Sequence, residues 1–148
     1  MPSQNNSSNY ESVLNKYNEL TYISYGYSMY PLIKQKEDIL HIIKIDRKLK
    51  KQDVILYKDR EHHYVLHRIL KIKKNNIYIL AGDHNFYKDH PVDESCIIGR
   101  LKDITKKDGK VIDLDKDKRF KGWLYVHFFY IKSFYLATIY TFKKIFKK

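Results

Sequence analysis

Between Leu20 and Leu114 the chain never sustains one pattern for long. Short runs rich in β-branched and aromatic residues alternate with polar breaks. Tyr22–Tyr25, Asp38–Ile45, Val54–Tyr57, Tyr64–Ile72, Ile77–Leu80, Ile97–Ile104 and Val111–Leu114 read as strands. Lys48–Asp53, Lys58–Glu61, Lys73–Asn76 and Lys106–Lys110 read as turns, and Gly82–Val92 as a long polar loop. Strands of this length and spacing predict a mostly β fold, a small antiparallel sheet or barrel. Fourteen tyrosines suit such a sheet. No internal repeat is visible.

A length of 148 residues and an apolar content of 43% allow one domain with a real core and an appendage. The spacing divides the chain into 1–19, 20–117 and 118–148. Residues 1–10 are Asn/Ser-rich and expected to be disordered. Glu11–Leu20 is expected to form a short helix with Val13, Leu14, Tyr17 and Leu20 on one side. Residues 1–12 lack the apolar core of a secretory signal. The single cysteine, Cys96, excludes an internal disulfide and CxxC chemistry. Its place before Ile97-Ile98 predicts a small buried hydrophobe.

From Lys118 to Lys148 there is no acidic residue. Leu124, Phe128, Ile131, Tyr135, Ile139, Phe142 and Phe146 fall at helical steps of three or four. Lys132 and Lys143 flank that stripe. An apolar face with aromatic shoulders and a basic rim predicts an amphipathic helix lying on a membrane surface. A helix packed on the β domain is the first alternative. A transmembrane span is the second, and it would put Lys132 near mid-bilayer at a cost of ~3 kcal/mol.

The formal charge of +12 points to an anionic partner, either nucleic acid or an acidic membrane. The expected N-terminal helix is too short for a DNA-reading helix-turn-helix. The expected partner of residues 118–148 is therefore an anionic membrane surface, with no specific nucleic acid. That places the protein at the cytoplasmic membrane, with the side faced by its β domain left open.

Three segments carry candidate chemistry: GYSMYP around Ser28, YVLHRIL around His67, and AGDHNFYKD from Ala81 to Asp89. Ser28 sits in a bend between Gly26 and Pro31. A Gly-x-Ser taken alone is an ordinary turn. A serine nucleophile needs a base within hydrogen-bond reach and an acid that fixes the base's tautomer. His67 supplies a base type that titrates near neutrality. Either Asp83 or Asp89 supplies the acid. On a strand, Arg68 points away from the face that carries His67.

These segments, in this order, resemble the type I signal peptidases, serine peptidases that share a β fold with the LexA-type self-cleaving repressors. Gly26, Ser28, Met29, Pro31 and Asp38 match the first family box. Gln52-Asp53-Val54 matches the second, with Gln where Gly is usual. His67 stands where the common bacterial branch has lysine, as in the branch typical of archaea and the endoplasmic reticulum. Gly82, Asp83 and Asn85 match the next box, Asp89 the further aspartate of the histidine branch, and Ile98-Gly99-Arg100 the closing strand. The resemblance covers roughly residues 20 to 104. No counterpart of the family's N-terminal membrane anchor or of its extra β domain is expected within these 148 residues.

What the resemblance implies is a serine endopeptidase that cuts leader or signal-type peptides after small residues, with a peptide or preprotein substrate as partner and without a cofactor. Ser28 would be the nucleophile, His67 the base, and Asp89 or Asp83 its orienting acid. The loop of Gly26, Met29 and Pro31 would shape the oxyanion hole, with main-chain N–H groups as donors because Gly26 has no hydroxyl. Three other readings compete. A self-cleaving regulator would need a DNA-binding segment and a scissile dipeptide upstream of Ser28. A metal site could draw on His62, His63, His67, Asp83, His84, Asp89 and His90, of which only His63 and His67 share a strand face. A non-catalytic membrane or nucleic-acid binding module would need only the basic tail.

Overall fold

A computed structural model describes residues 7–116 and 121–145. Helix α1 (Ser7–Tyr17) precedes eight strands: β1 (Glu19–Ile23), β2 (Ile39–Ile43), β3 (Val54–Lys58), β4 (Tyr64–Ile72), β5 (Ile77–Ala81), β6 (Val92–Asp93), β7 (Ile97–Thr105) and β8 (Val111–Asp113). Helix α2 (Lys121–Ile145) follows. All the strand pairs are antiparallel, and the order is β1-β2-β7-β3-β4-β5-β6 with β8 also on β7. The sheet curls into a half-barrel.

The long β7 stitches the sheet together. Its residues Arg100–Thr105 pair with β2, Ile97–Arg100 with β3 and Asp103–Thr105 with β8. Gly99 is needed there, because a Cβ would lie 2.8 Å from both Ile42 Cγ2 and the Ile43 carbonyl oxygen.

Period-two alternation distributes the core over two faces. On β3, Val54 and Leu56 join Leu40, Ile42, Leu66, Leu101 and Ile104 inside the curl, where Leu14 of α1 covers them. Ile55 and Tyr57 point the other way, into a second cluster with Ile69, Tyr78, Leu80 and Val92.

The N-terminal helix starts and stops earlier than expected. Asn18 adopts φ 62° and its amide closes on the Leu14 carbonyl at 2.9 Å. Asparagine tolerates this left-handed helix end, and it releases Leu20 into β1. Tyr17 is exposed, whereas Leu14 is buried. Ser7–Tyr10, expected to be disordered, are helical, and residues 1–6 lie outside the described residues. Tyr10 holds α1 in place by packing on the rings of Tyr22 and Tyr64.

Helix α2 docks through Val126 and Phe129, which bury against Leu70 and Ala81. The anticipated stripe residues Leu124, Phe128, Ile131 and Tyr135 stay exposed, and Ile139 is half-buried. The Phe142 side chain and Phe146 lie outside the described residues. Among the described residues, no helix is long and apolar enough to cross a membrane.

Candidate active site

The Ser28 bend lies in the connection from β1 to β2. Three apolar residues that follow the serine, Met29, Leu32 and Ile33, are buried in the core and hold the bend from behind. Amide bonds from Tyr30 to the Tyr27 carbonyl (3.0 Å) and from Ile33 to the Met29 carbonyl (2.9 Å) tighten it. Buried Asp38 closes its far end, accepting from the Lys34 amide at 2.7 Å and from Lys106 Nζ. Lys106 also donates to the Leu32 carbonyl. Ser28 itself is half-buried. Neither its hydroxyl nor the amides of Ser28 and Met29 have a partner among the described residues. Beside it lies a cavity of about 390 Å³ walled by Tyr22, Gly26, Met29, Leu56 and Leu66. A Cβ on Gly26 would meet nothing within 4 Å, so this glycine is not required by packing.

His67 lies mid-strand on β4, paired across β3 with Ile55, and is only 6% exposed. Its Nδ1 is 2.6 Å from Asp89 Oδ2. A carboxylate there fixes the tautomer with the proton on Nδ1, which leaves the Nε2 lone pair open. No partner in the described residues occupies Nε2. The same Asp89 oxygen accepts a 2.9 Å bond from Tyr57 Oη. Burial, and then the adjacent Asp89 charge, push the Tyr57 phenol well above its ordinary pKa, so it stays a donor. Asp89 is anchored in turn by its amide, which donates to the Leu80 carbonyl at 2.9 Å.

Gly82 brings the serine and histidine segments together. The register pairs Arg68 with Ala81, so Gly82 is the next position along, on the β5 side of His67. Opposed residues in an antiparallel pair project from the same face, with Cβ atoms about 5 Å apart. A Cβ on Gly82 would lie 2.4 Å from the Ser28 carbonyl oxygen and 2.9 Å from Ser28 Cβ. Ser28 thus fills the space that a side chain at position 82 would take. The His84 amide latches it there, donating to the Ser28 carbonyl at 2.8 Å.

Among the described residues no hydrogen bond joins Ser28 Oγ to His67. The two residues line different cavities, and Val65 is a wall of both. Catalytic hydrogen bonds in free enzymes are often loose and tighten only with substrate.

Asp83 sits elsewhere. Its carboxylate forms a two-pronged pair with Arg68, with Nε and Nη2 each at 2.7 Å, and both side chains are almost fully buried. Arg68 also donates to the Gln52 carbonyl at 2.9 Å. Of the two candidate acids, Asp89 contacts His67 and Asp83 neutralises Arg68. Gln52 has φ 81°, a left-handed backbone that glycine adopts freely. Pro31 follows a cis peptide bond and lines a cavity of about 580 Å³ between this loop and α2.

The remaining histidines spread out. His62 and His63 are exposed on the β3–β4 turn, and His63 faces Asp59 and Glu61. Among the described residues, no group of three or more His, Cys, Asp or Glu side chains converges to hold a metal. Cys96, expected to be buried, is exposed. It ends a short 3-10 turn at Glu94–Cys96, one residue before β7 begins, so the strand's alternation does not reach it. Sequence reasoning missed Tyr57 as a partner of Asp89. The available signal was that Tyr57 follows Ile55 by two, on the face that carries His67.

Comparison with known proteins finds no matching family, no matching curated protein and no matching solved structure.

Proposed function

We propose that this protein is a serine endopeptidase of the signal peptidase-like type, acting on leader or signal-type peptides through Ser28, His67 and Asp89. The observation that carries this reading is the buried His67–Asp89 pair, which leaves Nε2 open, together with the Ser28 loop that Gly82 lets approach the sheet. A fixed tautomer with a free lone pair is what a general base requires. The half-barrel of antiparallel strands and the order of boxes from Gly26 to Arg100 support the finer assignment to the signal peptidase and LexA-like fold.

In this mechanism Ser28 Oγ attacks the scissile carbonyl carbon while His67 Nε2 takes the hydroxyl proton. The unpartnered amides of Ser28 and Met29 receive the oxyanion. The C–N bond then breaks, and His67 returns its proton to the leaving amine. A water, deprotonated by His67, hydrolyses the acyl-serine ester and restores the hydroxyl. Asp89 holds the imidazole and stabilises its protonated form, and Tyr57 holds Asp89. The Arg68–Asp83 pair fixes the start of the loop that delivers Asp89. An extended peptide presents its side chains to the cavity beside Ser28.

The test compares the full chain with Ser28→Ala and His67→Ala on a panel of leader and signal-type peptides, read by mass spectrometry. Cleavage is expected to fall to background in both variants; Ser28→Ala should keep the parent's unfolding transition, whereas His67→Ala, which takes the imidazole from Asp89, should unfold earlier yet stay folded under assay conditions. Products that persist with Ser28→Ala would overturn the mechanism.

A further inference from the structure

We infer that the exposed face of α2, together with the aromatic tips of the two site loops, docks on an anionic lipid bilayer and seats the reaction centre at the membrane surface. Phe128, Ile131, Phe134 and Tyr135 are 58%, 63%, 75% and 64% exposed, although they fall on a helix whose other side is docked. Apolar exposure on this scale marks an interaction surface.

This surface is continuous with the site loops. Leu124 and Phe128 of α2 share one groove, of about 580 Å³, with Phe86 of the Asp89 loop and with Tyr30 and Pro31 of the Ser28 loop. Tyr25, Tyr27 and Tyr87 on the same two loops are 72%, 64% and 68% exposed.

The middle of the helix is tied to the domain. Lys132 Nζ donates to the Asp83 carbonyl at 3.2 Å and stands 4.9 Å over the Phe86 ring. Ser133 Oγ donates to the Phe86 carbonyl at 3.4 Å, and Lys88 sits 5.2 Å over the Tyr130 ring. A helix held this way lies along the domain, so whatever meets its outer face also meets the loops that carry Ser28 and Asp89.

Charge selects the occupant. Residues 118–148 hold seven Lys, one Arg and no acidic residue. Exposed aromatic and aliphatic side chains on so basic a segment match an acidic headgroup layer over acyl chains. A second copy would set this all-basic segment against itself in a twofold contact, without a carboxylate to answer it. RNA could stack on the exposed rings but would leave the aliphatic Leu124, Ile131 and Leu136 in water, whereas acyl chains cover both kinds of side chain.

The test uses the full chain and needs no peptidase activity, so it stands apart from the catalytic proposal. Flotation is measured with phosphatidylcholine vesicles, with and without about one-third phosphatidylglycerol, for the parent chain and for Phe128→Glu/Ile131→Glu. Both substituted side chains are exposed, and the thermal transition of the variant checks its fold. The parent is expected to float with the anionic vesicles only. The variant should bind them at least about tenfold more weakly, through lost insertion and added repulsion. Equal binding to neutral vesicles, or undiminished binding by the variant, would overturn the inference. So would binding to single-stranded RNA that the double substitution abolishes. Concentration-dependent dimerisation lost in the variant would assign the face to a second copy instead.

Discussion

Replacing Gly82 with alanine tests how the two halves of the proposed site are joined. The new methyl would meet the Ser28 carbonyl oxygen at 2.4 Å, Ser28 Cβ at 2.9 Å and Asn85 Nδ2 at 3.0 Å. Two of these neighbours belong to Ser28 itself, one of them its backbone, and cannot swing aside like a flexible chain end. Reaching ordinary contact needs the Ser28 loop to retreat by about 1 Å. That movement also strains the 2.8 Å bond from the His84 amide to the Ser28 carbonyl. Overpacking of this kind costs about 1–3 kcal/mol, and the weakened hydrogen bond about 1 kcal/mol more. A misplacement of about 1 Å between nucleophile and base lowers turnover by about a hundredfold. Gly26→Ala is the matched control. The same methyl there meets nothing within 4 Å, and no positive φ is involved, so stability should change by less than about 0.5 kcal/mol. Urea unfolding followed by circular dichroism reads the stability, and peptide cleavage reads the site. The reasoning is refuted if Gly82→Ala matches the parent in both measurements, or if Gly26→Ala is equally damaging.

Three further outcomes separate the roles assigned above. Asp89→Asn should cut the cleavage rate by roughly 10⁴ through loss of the correct tautomer, whereas Asp83→Asn should act on stability. Removing that charge leaves the buried Arg68 without its counter-ion, a loss of about 3 kcal/mol in urea unfolding. Gln52→Gly should stabilise the chain by about 0.5–1 kcal/mol. A side chain at φ 81° costs about 1–2 kcal/mol, and glycine's extra freedom when unfolded takes back part of that gain. Tyr10, Tyr22, Tyr57 and Tyr78 are all raised above the ordinary 10.0, chiefly by burial. The folded state therefore holds these phenolic protons more tightly than the unfolded chain does. Their contribution is complete below about pH 10 and declines as the pH rises beyond it. Phenolate formation at these four positions, followed residue by residue by NMR, should accordingly coincide with the loss of β signal, and its appearance in any of them before unfolding would contradict this.

The strands were legible because their side chains alternate. Tyr64–Ile72 was read with its observed bounds, and Val54, Ile77, Ile97 and Val111 were each placed at a strand start. The Ser28, His67 and Asp89 segments also stood out, since each sets a reactive side chain among turn or β-branched neighbours. Strand order was not legible, because pairing β2 with β7 depends on contacts such as His41 with Asp103, 62 positions apart. Which acid meets His67 was hidden for a related reason. Asp83 and Asp89 share one loop, and the β4–β5 register decides that Arg68 takes the first. The end of α1 escaped because a left-handed Asn18 outweighs an apolar pattern that runs on to Leu20. For α2, a periodic stripe says that one face is apolar without saying which face docks. Val126 and Phe129 take the domain and leave the stripe outside.

The central place of β7 also sets when the two halves of the proposed site can meet during synthesis of the chain. As the chain emerges, β1 can pair with β2, and β3, β4 and β5 can form a meander. The first unit leads into and out of the Ser28 bend, and the second carries His67. Neither has a strand neighbour in the other until Ile97–Thr105 arrives and pairs with both β2 and β3. Closing so long a loop is slow and is rewarded only at the end. A nascent chain that stops short of β7 therefore holds Ser28 and His67 on separate pieces, and the proposed centre can assemble only after this joining strand has left the ribosome.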